Sequence, residues 1–302
     1  MDRELQIGIV GLDTSHVIGF GDCFNLTGNN FRVPGARIAK AFPGGSAAFS
    51  LSRERVGKFT AEMSGKYGVE IVESLENLAG LDAYFLESVD GSQHREQFEV
   101  LAGFGKPVYI DKPLACSYAD AKAIFDLAAA KKIPIMTCSS MRYAAGVGDV
   151  LPEGEQVFAA DGFGPLVFLP DYRDYFWYGI HTAEIVYRYL GRGCEEVRTV
   201  SGPGIELVVG RWADGRIGQI SGCATGHGGF GVRLMTADGG RVSVQNPAIP
   251  YLRPMAAAIL EFFRTGNSPI DPADSLEIIA FLEAASRSRE AGGAPVKLNG
   301  LQ

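Results

Sequence analysis

VYIDKP, Val108 to Pro113, is the stretch on which the reading of this chain turns. A short run of β-forming residues, entered after Gly105 and Pro107, reads as a buried parallel strand. It ends abruptly in a carboxylate, an ammonium and a proline. In open α/β sheets ligands bind beyond the carboxyl ends of the strands, so Asp111 and Lys112 are expected to face a crevice. The proline disfavours the α region at Lys112 and holds that residue extended. A surface Lys-Pro turn is the plainer alternative.

Working back toward the N-terminus, QIGIVG (Gln6 to Gly11) is a short apolar strand that runs into a turn and then into the polar, helix-opening Asp13-Thr14-Ser15-His16. A nucleotide-binding βαβ unit begins in this way. The dinucleotide fingerprint G-x-G-x-x-G needs glycine at positions 11, 13 and 16, and only Gly11 is one. A carboxylate in the second place meets a ligand's negative charge, whereas Asp13 as an N-cap suits the helix dipole; both readings stand. A second strand, Arg37 to Phe42, leads into Pro43-Gly44-Gly45-Ser46. No acid follows it to hold ribose hydroxyls, which leaves Gly44, Ser46 and backbone amides, with Arg53 and Arg55 either as partners for a 2′-phosphate or, more commonly, as exposed helix arginines. Either NAD or NADP fits that loop.

Helical spacing over Arg53 to Tyr67, strands at Glu70 to Val72 and Ala83 to Glu87, a helix over His94 to Gly103, another over Tyr118 to Lys132 and a strand at Pro134 to Thr137 continue the alternation. Alternation implies a parallel sheet with right-handed crossovers, which brings Gly11, the segment Glu87 to Gly91 with Asp90, and Lys112 to one edge. Beyond Met141 the pattern changes. A loop-rich stretch with Gly146, Gly148, Pro152 and Gly154 precedes YRDYFWYGIH (Tyr172 to His181) and a helix over Thr182 to Leu190. Strand-like runs follow at Val197 to Val200, Glu206 to Arg211, Ile217 to Cys223 and Arg233 to Thr236, and helices at Met255 to Arg264 and Asp274 to Glu290. The expected fold is α/β: a Rossmann-like parallel-sheet domain over residues 1–140, then an α+β domain over 141–302 with a predominantly antiparallel open sheet.

Composition narrows the partners. A net charge of -7 without a basic run argues against nucleic acid or an anionic membrane. Five scattered cysteines without a Cys-x-x-Cys pair, and a start free of any apolar signal core or membrane span, place the chain in the cytoplasm. Four histidines and five cysteines show no ligand spacing, so no metal site is expected. A sheet face without helices of its own predicts a homo-oligomer, dimer or tetramer, through the second domain.

GIVGLDTSH (Gly8 to His16), His94 in SQHREQ ahead of GKPVYIDKP, GIHTAE (Gly179 to Glu184) and the tail FFRTGNSPIDPADSLEII together give the chain a resemblance, over its full length, to the glucose-fructose oxidoreductase / inositol dehydrogenase / rhizopine catabolism (Gfo/Idh/MocA) family. The resemblance implies a dinucleotide on the first domain and a sugar-like or polyol substrate between it and the second. Asp111-Lys112-Pro113 matches the family's Glu-Lys-Pro, whose lysine contacts substrate hydroxyl and nicotinamide. His181 and Glu184 fall on the histidine and the following acid of its Asp-x-x-x-His element, while the first acid of that element is replaced by Trp177.

The residue types suit hydride transfer. His181 is the candidate base for the hydroxyl proton, Glu184 on the same helical face is the candidate to orient it, and Lys112 favours the developing alkoxide. Tyr172, Tyr175, Phe176, Trp177 and Tyr178 offer ring faces to a sugar or are core, and Arg142 offers a fork to a carboxylate. The cofactor set is Gly11, Asp13, Thr14, Ser15, His16, Gly44, Ser46, Asp90, His94, Asp111 and Lys112. The leading reading is an NAD(P)-dependent oxidoreductase. The competing readings are a non-redox binding or regulatory protein on the same scaffold, and redox chemistry as one step of an elimination or hydrolysis.

Overall fold

A computed structural model describes residues 3–151 and 155–301. Pro152 and Gly154, counted above in the loop-rich stretch, lie outside the described residues. The chain divides into two compact units. The first comprises residues up to Ala115, Ala119–Cys138 and Leu252–Asp271; the second comprises Cys116–Tyr118, Ser139–Tyr251 and the chain from Pro272 onward.

Six parallel strands form the sheet of the first unit: β1 (Leu5–Val10), β2 (Ala36–Phe42), β3 (Glu70–Ile71), β4 (Ala83–Leu86), β5 (Val108–Asp111) and β6 (Ile135–Cys138), in the order β3-β2-β1-β4-β5-β6. Every residue of β4, β5 and β6 is buried, which is why AYFL, VYID and IMTC read as unbroken runs instead of alternating ones: helices cover both faces. Those helices are α1 (His16–Phe24), α2 (Ser50–Tyr67), α3 (His94–Leu101) and α4 (Tyr118–Lys131). Phe20 stacks on Phe85 with ring centroids 4.6 Å apart, and Tyr109 meets Phe85 edge-on at 5.7 Å. Truncating Phe85 to alanine would cost about 3–5 kcal/mol.

The helix over Leu252–Thr265 (α6) belongs to this unit and not, as expected, to the second. Its apolar stripe of Met255, Ile259, Phe262 and Phe263 needs a face to bury, and it finds one on α1 and the sheet. Phe263 lies edge-on to Phe85 at 5.2 Å, and Leu252 sits so close to Gly19 that any side chain there would strike it.

The sheet of the second unit has seven strands: β7 (Val157–Pro165), β8 (Cys194–Gly202), β9 (Ile205–Trp212), β10 (Ile217–Cys223), β11 (Gly231–Thr236), β12 (Gly239–Val244) and β13 (Val296–Lys297), ordered β12-β11-β7-β10-β9-β8-β13. Four of them match the expected runs; β7, β12 and β13 were not foreseen. β7 pairs parallel to β10, so a simple series of hairpins does not describe the sheet, although all other pairs are antiparallel. Helices α5 (Gly179–Leu190) and α7 (Pro272–Glu290) lie on one face, close enough that Gly162 and Gly218 leave no room for a β-carbon against Thr182 and Val186. Along β10 the burial alternates accordingly, with Gly218, Ile220 and Gly222 inward. Among the described residues no helix is long and apolar enough to cross a membrane.

Candidate functional site

In the first unit the order of strands reverses direction between β1 and β4, the topological position at which open α/β sheets bind ligands. β1 ends in Gly11, whose φ is +86° and whose absent β-carbon would stand 2.3 Å from the Ser88 amide. Only glycine allows that left-handed turn to pass so close to the loop after β4. Gly44, also left-handed, lies against Gly11 from the other side, so two predicted cofactor residues frame one turn.

Asp13 does not cap α1. The helix begins at His16 with exposed Ser15 before it, and Ser15 makes no side-chain cap; the His16 amide points instead to Thr14 Oγ1 at 3.4 Å. The Asp13 carboxylate is turned inward and fully buried, accepting from Ser52 Oγ at 2.5 Å and from the Val89 amide at 2.9 Å. It ties the turn after β1 to α2 and to the loop after β4. Burial pushes its carboxyl above the usual value, and the two donors only partly oppose this. Ser46 Oγ donates to Asp90 at 2.6 Å, and Asp90 also accepts from the amide and hydroxyl of Ser92. His94 is a brace: fully buried, it has the Ser88 carbonyl 2.7 Å from Nε2 and the Leu114 carbonyl 3.1 Å from Nδ1.

At the ends of β4 and β5 stand Glu87, Asp111 and Lys112, all buried. His16 Nδ1 approaches Asp111 Oδ2 at 3.0 Å. Burial alone would raise the Asp111 carboxyl, yet the neighbouring His16 and Lys112 hold it below the ordinary range. Burial pushes Glu87 well above that range, with the Asp111 charge adding to the effect. Lys112 is lowered by the same loss of water, against the pull of Asp111 and Glu87. The peptide between Lys112 and Pro113 is cis.

The edge therefore fits a dinucleotide. The glycine turn is intact, and the acid in the second fingerprint position is spent on Ser52 and Val89 instead of standing bare before a pyrophosphate. Sequence reading did not single out Ser52 and Ser88; Asp13 lies 39 residues from the first and Gly11 77 from the second, and no local pattern announces those contacts.

In the second unit His181 sits in the first turn of α5, 8 % exposed, with Nδ1 2.6 Å from Ser139 Oγ. Ser139 also accepts from the Met141 amide at 3.1 Å. The Glu184 carboxylate, expected beside the imidazole, is engaged elsewhere: Oε2 accepts from Arg142 Nε at 2.8 Å and Oε1 from the Ser139 amide at 3.3 Å. Glu184 thus supports the backbone that carries Ser139, and burial lifts its carboxyl while Arg142 opposes. Arg142, expected as a fork for substrate, spends its Nε on this pair. The aromatic group divides. Tyr175 and Phe176 are core, with the Tyr175 hydroxyl on Glu206, whereas Tyr172, Trp177 and Tyr178 are half-buried in a chain of edge-on rings, with the Tyr178 ring reaching His181 at 5.7 Å.

A family model described as an oxidoreductase family with an NAD-binding Rossmann fold, Gfo/Idh/MocA, matches residues 17–138, beginning just past the altered turn. Among curated proteins none matches the chain by sequence. Solved structures do match in fold. An oxidoreductase from Agrobacterium radiobacter, in complex with NAD+, L-tartaric acid and magnesium, superimposes with a TM-score of 0.76 at 17% identity over 99% of this chain and 100% of that one. Apo scyllo-inositol dehydrogenase from Lactobacillus casei gives 0.78 at 13% over 99% and 100%. Myo-inositol dehydrogenase from Lactobacillus casei, in complex with NAD(H) and myo-inositol, gives 0.73 at 14% over 97% and 96%. Residues 17–138 of this chain thus match the Gfo/Idh/MocA family of NAD-binding oxidoreductases.

Proposed function

We propose that this chain is an NAD(P)-dependent dehydrogenase that interconverts an alcohol and a carbonyl on a sugar, polyol or related hydroxy compound, with His181 as general base and Lys112 contacting the reacting oxygen. The observation that carries the reading is the 2.6 Å contact of Ser139 Oγ with His181 Nδ1, which fixes a buried imidazole by one nitrogen, as a base must be fixed. The inositol dehydrogenases among the structural neighbours make polyols the first substrate class to try.

Bound nicotinamide supplies the hydride acceptor in oxidation and the donor in reduction. His181 takes the hydroxyl proton in the first direction and returns it in the second, a task for which the imidazole range is suited. The Lys112 ammonium, poorly hydrated where it stands, favours negative charge on the reacting oxygen and gives up its proton more readily than a surface lysine. Gly11, Thr14, Ser15 and Gly44 would hold the dinucleotide at the turn. Tyr172 and Trp177 offer half-buried rings to a carbon skeleton.

Titration with NADH and NADPH, then turnover against a polyol panel that includes myo-inositol, tests the reading. Lys112→Met should lower turnover by about 100-fold or more while the dinucleotide still binds. Failure of both nucleotides to bind at about 1 mM would end it and favour the non-redox reading. The open face of the second unit's sheet exposes Val200, Ile205, Ile217 and Met235, each at least 40 % accessible, and a second copy of the chain is the partner we propose for it. A monomeric mass by light scattering would exclude that.

A further inference from the structure

Three side chains of the first unit meet at the carboxyl edge of its sheet: His16 from the first turn of α1, Glu87 from the residue after β4 and Asp111 from the end of β5. One nitrogen or oxygen of each lies within 4.8 Å of the others, and all three residues are buried. The His16–Asp111 contact accounts for one oxygen. A separate observation concerns the rest: Glu87 is fully buried with no hydrogen-bond partner on either oxygen, and Asp111 Oδ1 has none either. A buried acceptor without a donor costs about 1–3 kcal/mol, so three at one point call for an occupant that brings positive charge.

Charge and spacing say which occupant. Glu87 has Asp111, Asp13 and the Lys112 ammonium as its charged neighbours. A cation bound at about 2.1 Å sets neighbouring ligand atoms about 3.0 Å apart and opposite ones about 4.2 Å apart. The His16–Asp111 distance already has the first value, and the spread of the cluster is within a small closure of the second. An imidazole nitrogen with carboxylate oxygens is a donor set for borderline to hard divalent ions.

We propose that His16, Glu87 and Asp111 form a binding site for a divalent metal cation of the class of Mn2+ or Zn2+. Three protein ligands leave coordination positions open to a water or to an oxygen of a bound molecule. The expectation of no metal rested on histidine and cysteine spacing alone. This site joins one histidine to two carboxylates, 71 and 95 residues away in sequence, that no spacing rule connects. It draws on the first unit only, at the edge that also fits the dinucleotide.

The test uses the full chain, stripped with a chelator and then freed of it. Titration with Mn2+, followed by loss of the free-ion paramagnetic resonance signal, should show one ion per chain, displaced by Zn2+, together with a rise in melting temperature. Glu87→Gln and Asp111→Asn should each weaken binding by about 10-fold or more. The spin echo of bound Mn2+ in the unmodified chain should carry modulation from an imidazole nitrogen, lost in His16→Gln, which decides the matter even where a carboxylate variant fails to fold. No binding of either ion at about 1 mM, binding that the variants leave within about twofold, or an echo without nitrogen modulation would each overturn the site. Nucleotide titration of the same stripped protein reports separately on the oxidoreductase reading.

Discussion

Two buried histidines, each in the first turn of a helix, have opposite surroundings. His16 opens α1 with a carboxylate at its Nδ1, while His181 near the start of α5 has a serine hydroxyl there. A carboxylate without a proton can only accept from the ring, whereas a hydroxyl can accept from the ring or donate to it. On the proposed reading the first holds the fold and the second exchanges a proton. Helix-start position alone does not tell them apart; the motif around His181 does.

Replacing each by glutamine should separate the two most widely. His181→Gln is expected to cut turnover by about 100- to 10,000-fold, the worth of a positioned acid–base group, with little change in melting temperature. His16→Gln, compared as metal-free protein, should lower stability by about 1–3 kcal/mol, because Asp111 then adds a poorly paired oxygen to those of Glu87. Thermal melting and steady-state rates on both variants decide it. Equal effects of the two on stability, or on turnover, would remove the distinction.

A smaller effect is expected at Ser139. It touches the ring but not the chemistry, so Ser139→Ala should lower kcat by about tenfold with KM nearly unchanged, and should move the pH profile of kcat, because the charge state of His181 loses its hydroxyl partner. Ser139→Thr, which keeps the hydroxyl, should recover most of the rate. A pure loss of stability with an unmoved profile would mean that Ser139 only packs.

The same contrast explains what could be read in advance. The first sheet was legible because its strands are covered on both faces, so AYFL, VYID and IMTC stand out as apolar runs bounded by glycine, proline and charge. β7 was not, since Val157–Pro165 carries an aspartate, two glycines and a proline and takes its parallel partner from 58 residues on. α6 carries a clear amphipathic stripe, but a stripe does not say which unit supplies the opposite face. Of the proposed catalytic residues, Lys112 and His181 were visible by type and position. Glu87 was visible as an acid at the same sheet edge, but Ser139, the partner of His181, was not singled out, because a serine in a loop acquires meaning only when distant backbone brings it to a ring.

Asp13 gives the finest discrimination between a residue that holds and one that responds. Burial raises its folded-state pKa above the unfolded value of about 3.9, so the folded chain binds that proton more tightly than the unfolded chain does. Its contribution to stability is complete below about pH 4 and is lost as pH rises through the folded value. Asparagine keeps an oxygen for the Val89 amide and can donate to Ser52 Oγ, but it has no proton to lose. Between about pH 4 and neutrality Asp13→Asn should therefore gain on the unmodified protein, by an amount of the order of one buried hydrogen bond, about 1 kcal/mol. Urea melts at intervals across that window measure the gap directly. A gap that stays constant with pH would mean that Asp13 is ionised throughout, and that the second position of the fingerprint presents its full charge to whatever binds at the turn.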